Sequence, residues 1–191
     1  MSLVWPVAVG LVLALAAGGK LQRLATLRWR GLWLFYVALA VRIVAFPFGF
    51  LPWRTPDGVA KVLYLVSYAI LVVAVARNAR IPGVAVVAVG MALNVLAISV
   101  NGGHMPALTS ALRGAGLHFT HSRNSAVLSH PNLPWLIDRW AVPSWIPWGS
   151  IFSVGDVIVS VGAIVFALVA TGALDRFRPR RGGDTAVAPA A

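Results

Sequence analysis

Two aspartates are the residues of this chain best suited to chemistry. Asp138 stands in Leu136-Ile137-Asp138-Arg139, and Asp156 follows eighteen residues later in Phe152-Ser153-Val154-Gly155-Asp156. Two carboxyl groups brought together away from bulk water do not both ionise easily, so one keeps a proton. One carboxylate then activates a water while the other protonates a leaving group. Asn101, in Asn101-Gly102-Gly103, and Arg139 and Ser153 beside the aspartates are the polar residues expected to bind or support a substrate. Arg42 joins this set because it and Asp156 fall inside apolar stretches. A charge there costs about 2.5–3.5 kcal/mol on insertion scales and marks a functional site by default. The plainest expectation is an Arg42–Asp156 ion pair that neutralises both groups and fixes helix packing, which leaves catalysis open.

Composition says what kind of elements must hold these residues. Of 191 residues, 59% are hydrophobic and 11% charged, where a soluble domain carries about 25% charged residues. Five stretches, 3–18, 31–51, 59–76, 81–100 and 150–174, have the polarity of membrane helices, which need about 20 apolar residues. The expected fold is therefore all-α: a polytopic membrane bundle of about five transmembrane helices in one body, 1–175, with a loop at 101–149 and a basic, disordered tail at 176–191. Lys20, Arg23, Arg28, Arg30, Arg77, Arg80, Arg176, Arg178, Arg180 and Arg181 collect on one side of these spans. The positive-inside rule places that side in the cytoplasm, with the N-terminus outside and the C-terminus inside. Trp5, Trp53, Trp135, Trp140, Trp145 and Trp148 then fall near the outer interface, and Trp29 and Trp33 near the inner one.

The loop 101–149 is too long for a simple connection and too apolar for a free linker. A short surface helix is expected at 106–114 and a segment lying in the headgroup layer at 133–148. Ser153, Asp156, Ser160, Ala163 and Ala167 recur at helical spacing and predict a small, polar stripe facing into the bundle. Asn94 is expected as a bond between helices.

Several classes are excluded. There is no cysteine, hence no disulfide framework, zinc–thiolate site or cysteine nucleophile. The net charge of +11 comes with no nucleic-acid-binding motif, and topology explains its clusters. His104, His118, His121 and His130 all lie in the loop, at spacings that match no strong zinc signature. A haem in the bundle needs a histidine in a span, and there is none, so no metal or cofactor is implied. The expected location is the bacterial plasma membrane, as a multi-pass protein whose partner is the lipid bilayer.

The stretch 132–171 resembles the C-terminal part of lipoprotein signal peptidase (signal peptidase II). That family carries Asn-x-x-Asp-Arg and, after a similar interval, Phe-Asn-x-Ala-Asp. Here Trp135 stands three before Asp138, and Ser153 and Gly155 replace the Asn and Ala of the second motif. The resemblance implies that Asp138 and Asp156 are a catalytic dyad at the outer face of the membrane, acting on a lipid or membrane-peptide substrate. Over more of its length the chain resembles an uncharacterised bacterial membrane family, a domain of unknown function, in Asn-Gly-Gly-x-Met-Pro (101–106) and Phe-Ser-x-Gly-Asp (152–156). That resemblance implies no activity. Three classes stay open: a structural, assembly or signalling membrane protein; an aspartyl membrane hydrolase using Asp138 and Asp156; and a small-solute or lipid transporter with the Arg42–Asp156 pair at its site.

Overall fold

A computed structural model of the chain describes residues 4–47, 53–118, 125–146 and 150–175. The tail 176–191, His121, Trp148 and the Trp5 side chain lie outside the described residues. Each of the five apolar stretches forms one helix: α1 (Val4–Ala16), α3 (Leu32–Ala45), α4 (Asp57–Ala76), α5 (Val84–Val100) and α7 (Val154–Ala170). Two short helices, α2 (Gln22–Ala25) and α6 (Thr109–Gly114), lie in the connections. Among the described residues, α4 alone is long and apolar enough to cross a membrane by length and composition; the other four long helices are shorter and apolar.

Local chemistry sets the ends. Phe46 leaves helical conformation with ψ 75°, because a residue before proline, here Pro47, is disfavoured there. The stretch expected to run to 51 therefore stops being helical at Ala45, and Arg42 occupies the last turn of α3 rather than the middle of a span. Gly83 enters α5 at φ 84°, a conformation that side chains with a Cβ resist. Ser153 caps α7, accepting from the Asp156 N–H while the Asp156 side chain accepts from the Ser153 N–H. That reciprocal box satisfies two of the helix's orphan donors.

The long helices pack in the order α3, α4, α5, α7, α1. Glycines let α5 and α7 touch backbone to backbone. A Cβ at Gly90 would stand 2.5 Å from the Gly155 carbonyl oxygen, and one at Gly162 would stand 2.8 Å from that of Gly83. Close approach of this kind is what small residues permit in apolar surroundings. The α7 face against α5 is thus Gly155, Val159 and Gly162, while Ala167 packs on Gly10 and Ala14 of α1. The expected stripe of Ser153, Asp156, Ser160, Ala163 and Ala167 is divided between neighbours. Away from these contacts the helices expose large apolar side chains, among them Val12, Trp33, Tyr36, Leu39, Val62, Val89 and Val161.

Residues between α5 and α7 fold into a cap. Strand β1 (Met105–Pro106) pairs in parallel with β2 (Ser125–Ala126), and β3 (Trp140–Ala141) pairs antiparallel with β4 (Ile151–Phe152). The surface helix expected at 106–114 is present as α6; β3 lies within the segment expected in the headgroup layer, and β4 at the start of the fifth apolar stretch. Met105 and Leu136 of the cap join Tyr64, Ala97 and Ile98 in one core. The Asn101 carboxamide fastens the cap to α5. It donates to the carbonyls of Ala97 (2.7 Å) and Asn132 (2.9 Å) and accepts from the Asn132 N–H (2.7 Å). At the other end of the bundle Asn78 does the same to Arg30, accepting from its N–H at 2.7 Å and donating to its carbonyl at 3.0 Å.

Candidate functional site

Asp138 is placed by backbone pairing. Its N–H donates to the Pro106 carbonyl and its carbonyl accepts from Leu108, both at 2.9 Å. The next residue, Arg139, donates its N–H to the Phe152 carbonyl at 3.2 Å. Ser153 and the start of α7 follow immediately. The cap therefore carries Asp138 to the helix end that holds Asp156. The Asp138 side chain is 6% exposed. Burial first, and then the neighbouring charge of Asp156, push its carboxyl up to about 7. Loss of water penalises the charged form, and a like charge nearby does so again.

Asp156 stands in a different environment. Its Oδ1 accepts from Asn94 Nδ2 at 3.0 Å, and its Oδ2 accepts from the Ser153 N–H at 3.0 Å. The Ser153 hydroxyl, fully buried, has one hydrogen and two acceptors in reach: Asn94 Oδ1 at 2.9 Å and Asp156 Oδ2 at 3.1 Å. These contacts hold the Asp156 side chain in one orientation at the start of α7. Asn94 is thus the expected bond between helices. Its position is tight, because Gly155 leaves room for its side chain and nothing more.

Arg42 does not pair with Asp156. Its guanidinium lies over the Tyr64 ring, 4.6 Å from the centroid, and the ion pair among the described residues joins Arg23 to Asp175 instead. Tyr68, one turn along α4, has Asn94, Asp156 and Arg42 as neighbours. Of the residues picked from sequence, Asp138, Asp156 and Ser153 come together, with Arg42 reaching the same cluster through Tyr68. Asn101 is occupied in holding the cap. The Arg139 side chain is exposed, with its guanidinium 5.8 Å from the centre of the Trp140 ring. Tyr64 and Tyr68 were missed. Their signal was a four-residue spacing that puts two hydroxyls on one face of an apolar helix.

Residues 26–168 match a family of unknown function, DUF5317. The chain belongs to this family. The DUF5317 match takes in α3 to α7 nearly whole, and with them Arg42, Tyr64, Tyr68, Asn94, Asp138 and Asp156. An uncharacterized protein of Thermotoga maritima is 29% identical over 155 residues, 78% of this chain and 80% of its own length. No solved structure matches.

Proposed function

We propose that this DUF5317 member is a polytopic bacterial plasma-membrane protein whose working site is the Asp138–Asp156 pair at the outer interface. In this reading α1, α3, α4, α5 and α7 cross the bilayer, the N-terminus is outside and the C-terminus is cytoplasmic. The observation that carries the site is the contrast between the two aspartates: a buried Asp138 with its carboxyl pushed up to about 7, beside an Asp156 ringed by donors. Support for the membrane comes from the outward faces. Val12, Trp33, Tyr36, Leu39, Val62, Val89 and Val161 are exposed along the helices, a density of apolar surface foreign to a protein in water. Lys20, Arg23, Arg28, Arg30, Arg77 and Arg80 are exposed at the opposite end from the cap, as the positive-inside rule asks. Helices of 13 to 17 residues reach about 20–26 Å, and local thinning of the bilayer accommodates the difference from about 30 Å.

The contrast also favours a second reading, an aspartyl membrane hydrolase. Asp156 takes a proton from water as the water oxygen bonds to a carbonyl carbon. Asp138 gives its proton to the leaving group as the scissile bond breaks. Asn94 and Ser153 orient Asp156. Transport loses its support, because Arg42 stacks on Tyr64 and forms no pair with Asp156.

Two experiments test these readings. The chain has no cysteine, so Ser110→Cys in α6 and Ala79→Cys beyond α4 report topology directly. An impermeant thiol reagent on intact cells labels Ser110→Cys and reaches Ala79→Cys only after lysis; the reverse pattern defeats the orientation. For the hydrolase, membrane peptides and lipids are profiled in cells making wild type, Asp138→Asn or Asp156→Asn. One uncleaved species accumulating in both mutants at normal protein level supports turnover. Loss of protein in Asp156→Asn alone assigns that residue to packing.

A further inference from the structure

Two cations, Arg42 of α3 and Lys61 of α4, carry no anion among the described residues. Arg42 makes neither an ion pair nor a side-chain hydrogen bond among the described residues; its guanidinium rests on Tyr64. Lys61 likewise has no carboxylate partner among them. Lys61, Tyr64 and Tyr68 are three and seven residues apart on α4 and share a face. The Lys61 stem packs against Gly103, where a Cβ would stand 3.2 Å from it, so Lys61 meets the cap just where the cap leaves α5. Tyr64 is buried against Met105 and Leu136, two residues from Asp138. Tyr68 neighbours both Arg42 and Asp156. One lysine and one arginine, from two helices, thus flank a tyrosine pair that leads to the two aspartates.

Helix electrostatics account for only half of this. Arg42 in the last turn of α3 gains from the helix dipole, but Lys61, near the positive end of α4, does not. Topology disfavours both, since cations concentrate on the cytoplasmic side. A half-buried guanidinium held over an aromatic ring presents a planar fork of donors that matches phosphate oxygens, and a lysine adds a point charge. Leu39, three residues before Arg42, and Val62, beside Lys61, are exposed and offer apolar cover to a chain attached to such a group.

We propose that Arg42 and Lys61 form a subsite for a phosphate group, and that it draws a phosphate-bearing amphiphile to the Asp138–Asp156 pair from the outer leaflet. The subsite rests on the reading of that pair as the working site and names the class of molecule it handles. Tyr64 orients the guanidinium and Tyr68 connects the subsite to Asn94 and Asp156.

The full chain, purified in a neutral maltoside detergent, is titrated with dihexanoyl phosphatidylglycerol, dihexanoylglycerol and inorganic phosphate, with thermal shift and native mass spectrometry as readouts. Phosphatidylglycerol is expected to bind and to raise the melting temperature, whereas dihexanoylglycerol does not. Arg42→Gln and Lys61→Gln each weaken the half-saturation point about tenfold, the worth of one charge-assisted hydrogen bond. Arg80→Gln, at the far end, leaves it unchanged. Inorganic phosphate competing as well as the lipid identifies a soluble phosphate as the source and keeps the subsite. Equal losses in Arg42→Gln and Arg80→Gln, equal binding of dihexanoylglycerol, or no binding by wild type overturns it. If Arg42→Gln does not fold, Arg42→Lys and Lys61→Gln decide in its place. Asp138→Asn keeps phosphatidylglycerol binding, so failure of the aspartates to react and failure of the subsite give different results.

Discussion

Raising the pH should loosen the cap, and Asp138 sets how much. Its carboxyl goes from an ordinary 3.8 to about 7 in the folded protein, first through burial and then through the charge of Asp156. A raised folded-state pKa means that the folded cap keeps a proton which the opened cap releases. That contribution is fully present below about pH 4, declines from there and is lost as the pH passes 7. At about 1.36 kcal/mol per pH unit, the whole effect is about 4 kcal/mol. Such an amount is a large share of the stability of a domain. The assay is thermal unfolding of the purified chain in detergent from pH 4 to pH 8, with hydrogen exchange at the Leu108 and Asp138 amides to localise the change. Wild type is expected to lose stability across that window. Asp138→Asn, which stays neutral, is expected to be flat across it and more stable than wild type at pH 8. Asp156→Asn removes the second cause and moves the wild-type loss to lower pH. Equal slopes for wild type and Asp138→Asn, or a stability that rises with pH in both, refute the reasoning.

Four further substitutions separate the parts of the structure. Gly90→Ala drives a Cβ into the Gly155 carbonyl and the Val159 N–H and should cost about 3 kcal/mol, because backbone does not yield as side chains do; Gly58→Ala, with open space around it, should gain up to about 1 kcal/mol. Both are read by melting temperature. Asn78→Ala removes the bonds that hold Arg30 and one to the Ala74 carbonyl, and should cost about 2 kcal/mol, with faster proteolysis near Arg28 and Arg30 as its local sign. Ser153→Ala removes the α7 cap and one donor to Asp156, and should cost about 1 kcal/mol with protein level largely kept.

The five helices were legible because their signal is local: long runs of Val, Leu and Ala bounded by glycine, proline and charge. Their ends were less so. Arg42 looked deep because the apolar run continues past Ala45, yet Pro47 already marks the stop. Asp156 looked like a charge within a span; Ser153-x-x-Asp156 was in plain view as a capping box and makes it the N-terminal edge of α7. The cap strands were invisible, because two residues have no alternation to read and their partners lie ten to twenty residues away. That Asp138 and Asp156 can sit at one interface was legible in the sequence, but whether they approach was not. What brings them together, the bond between Arg139 and Phe152, is a backbone contact that no side chain announces. Asn101 drew attention as a polar residue at the right end, and its carboxamide is consumed by Asn132.

The glycine contacts of α5 and α7 act as a ruler. Gly83 and Gly90 are seven residues apart, and so are Gly155 and Gly162, so the two pairs fit together in one register. Sliding α7 by a single turn sets a valine against glycine backbone and leaves no pair aligned. The nearest shift that realigns any pair is seven residues, about 10.5 Å, and it carries Asp156 away from Asn94. The height of the Asp156 carboxylate along the bundle is therefore fixed in discrete steps, and no gradual sliding of the helices can tune it.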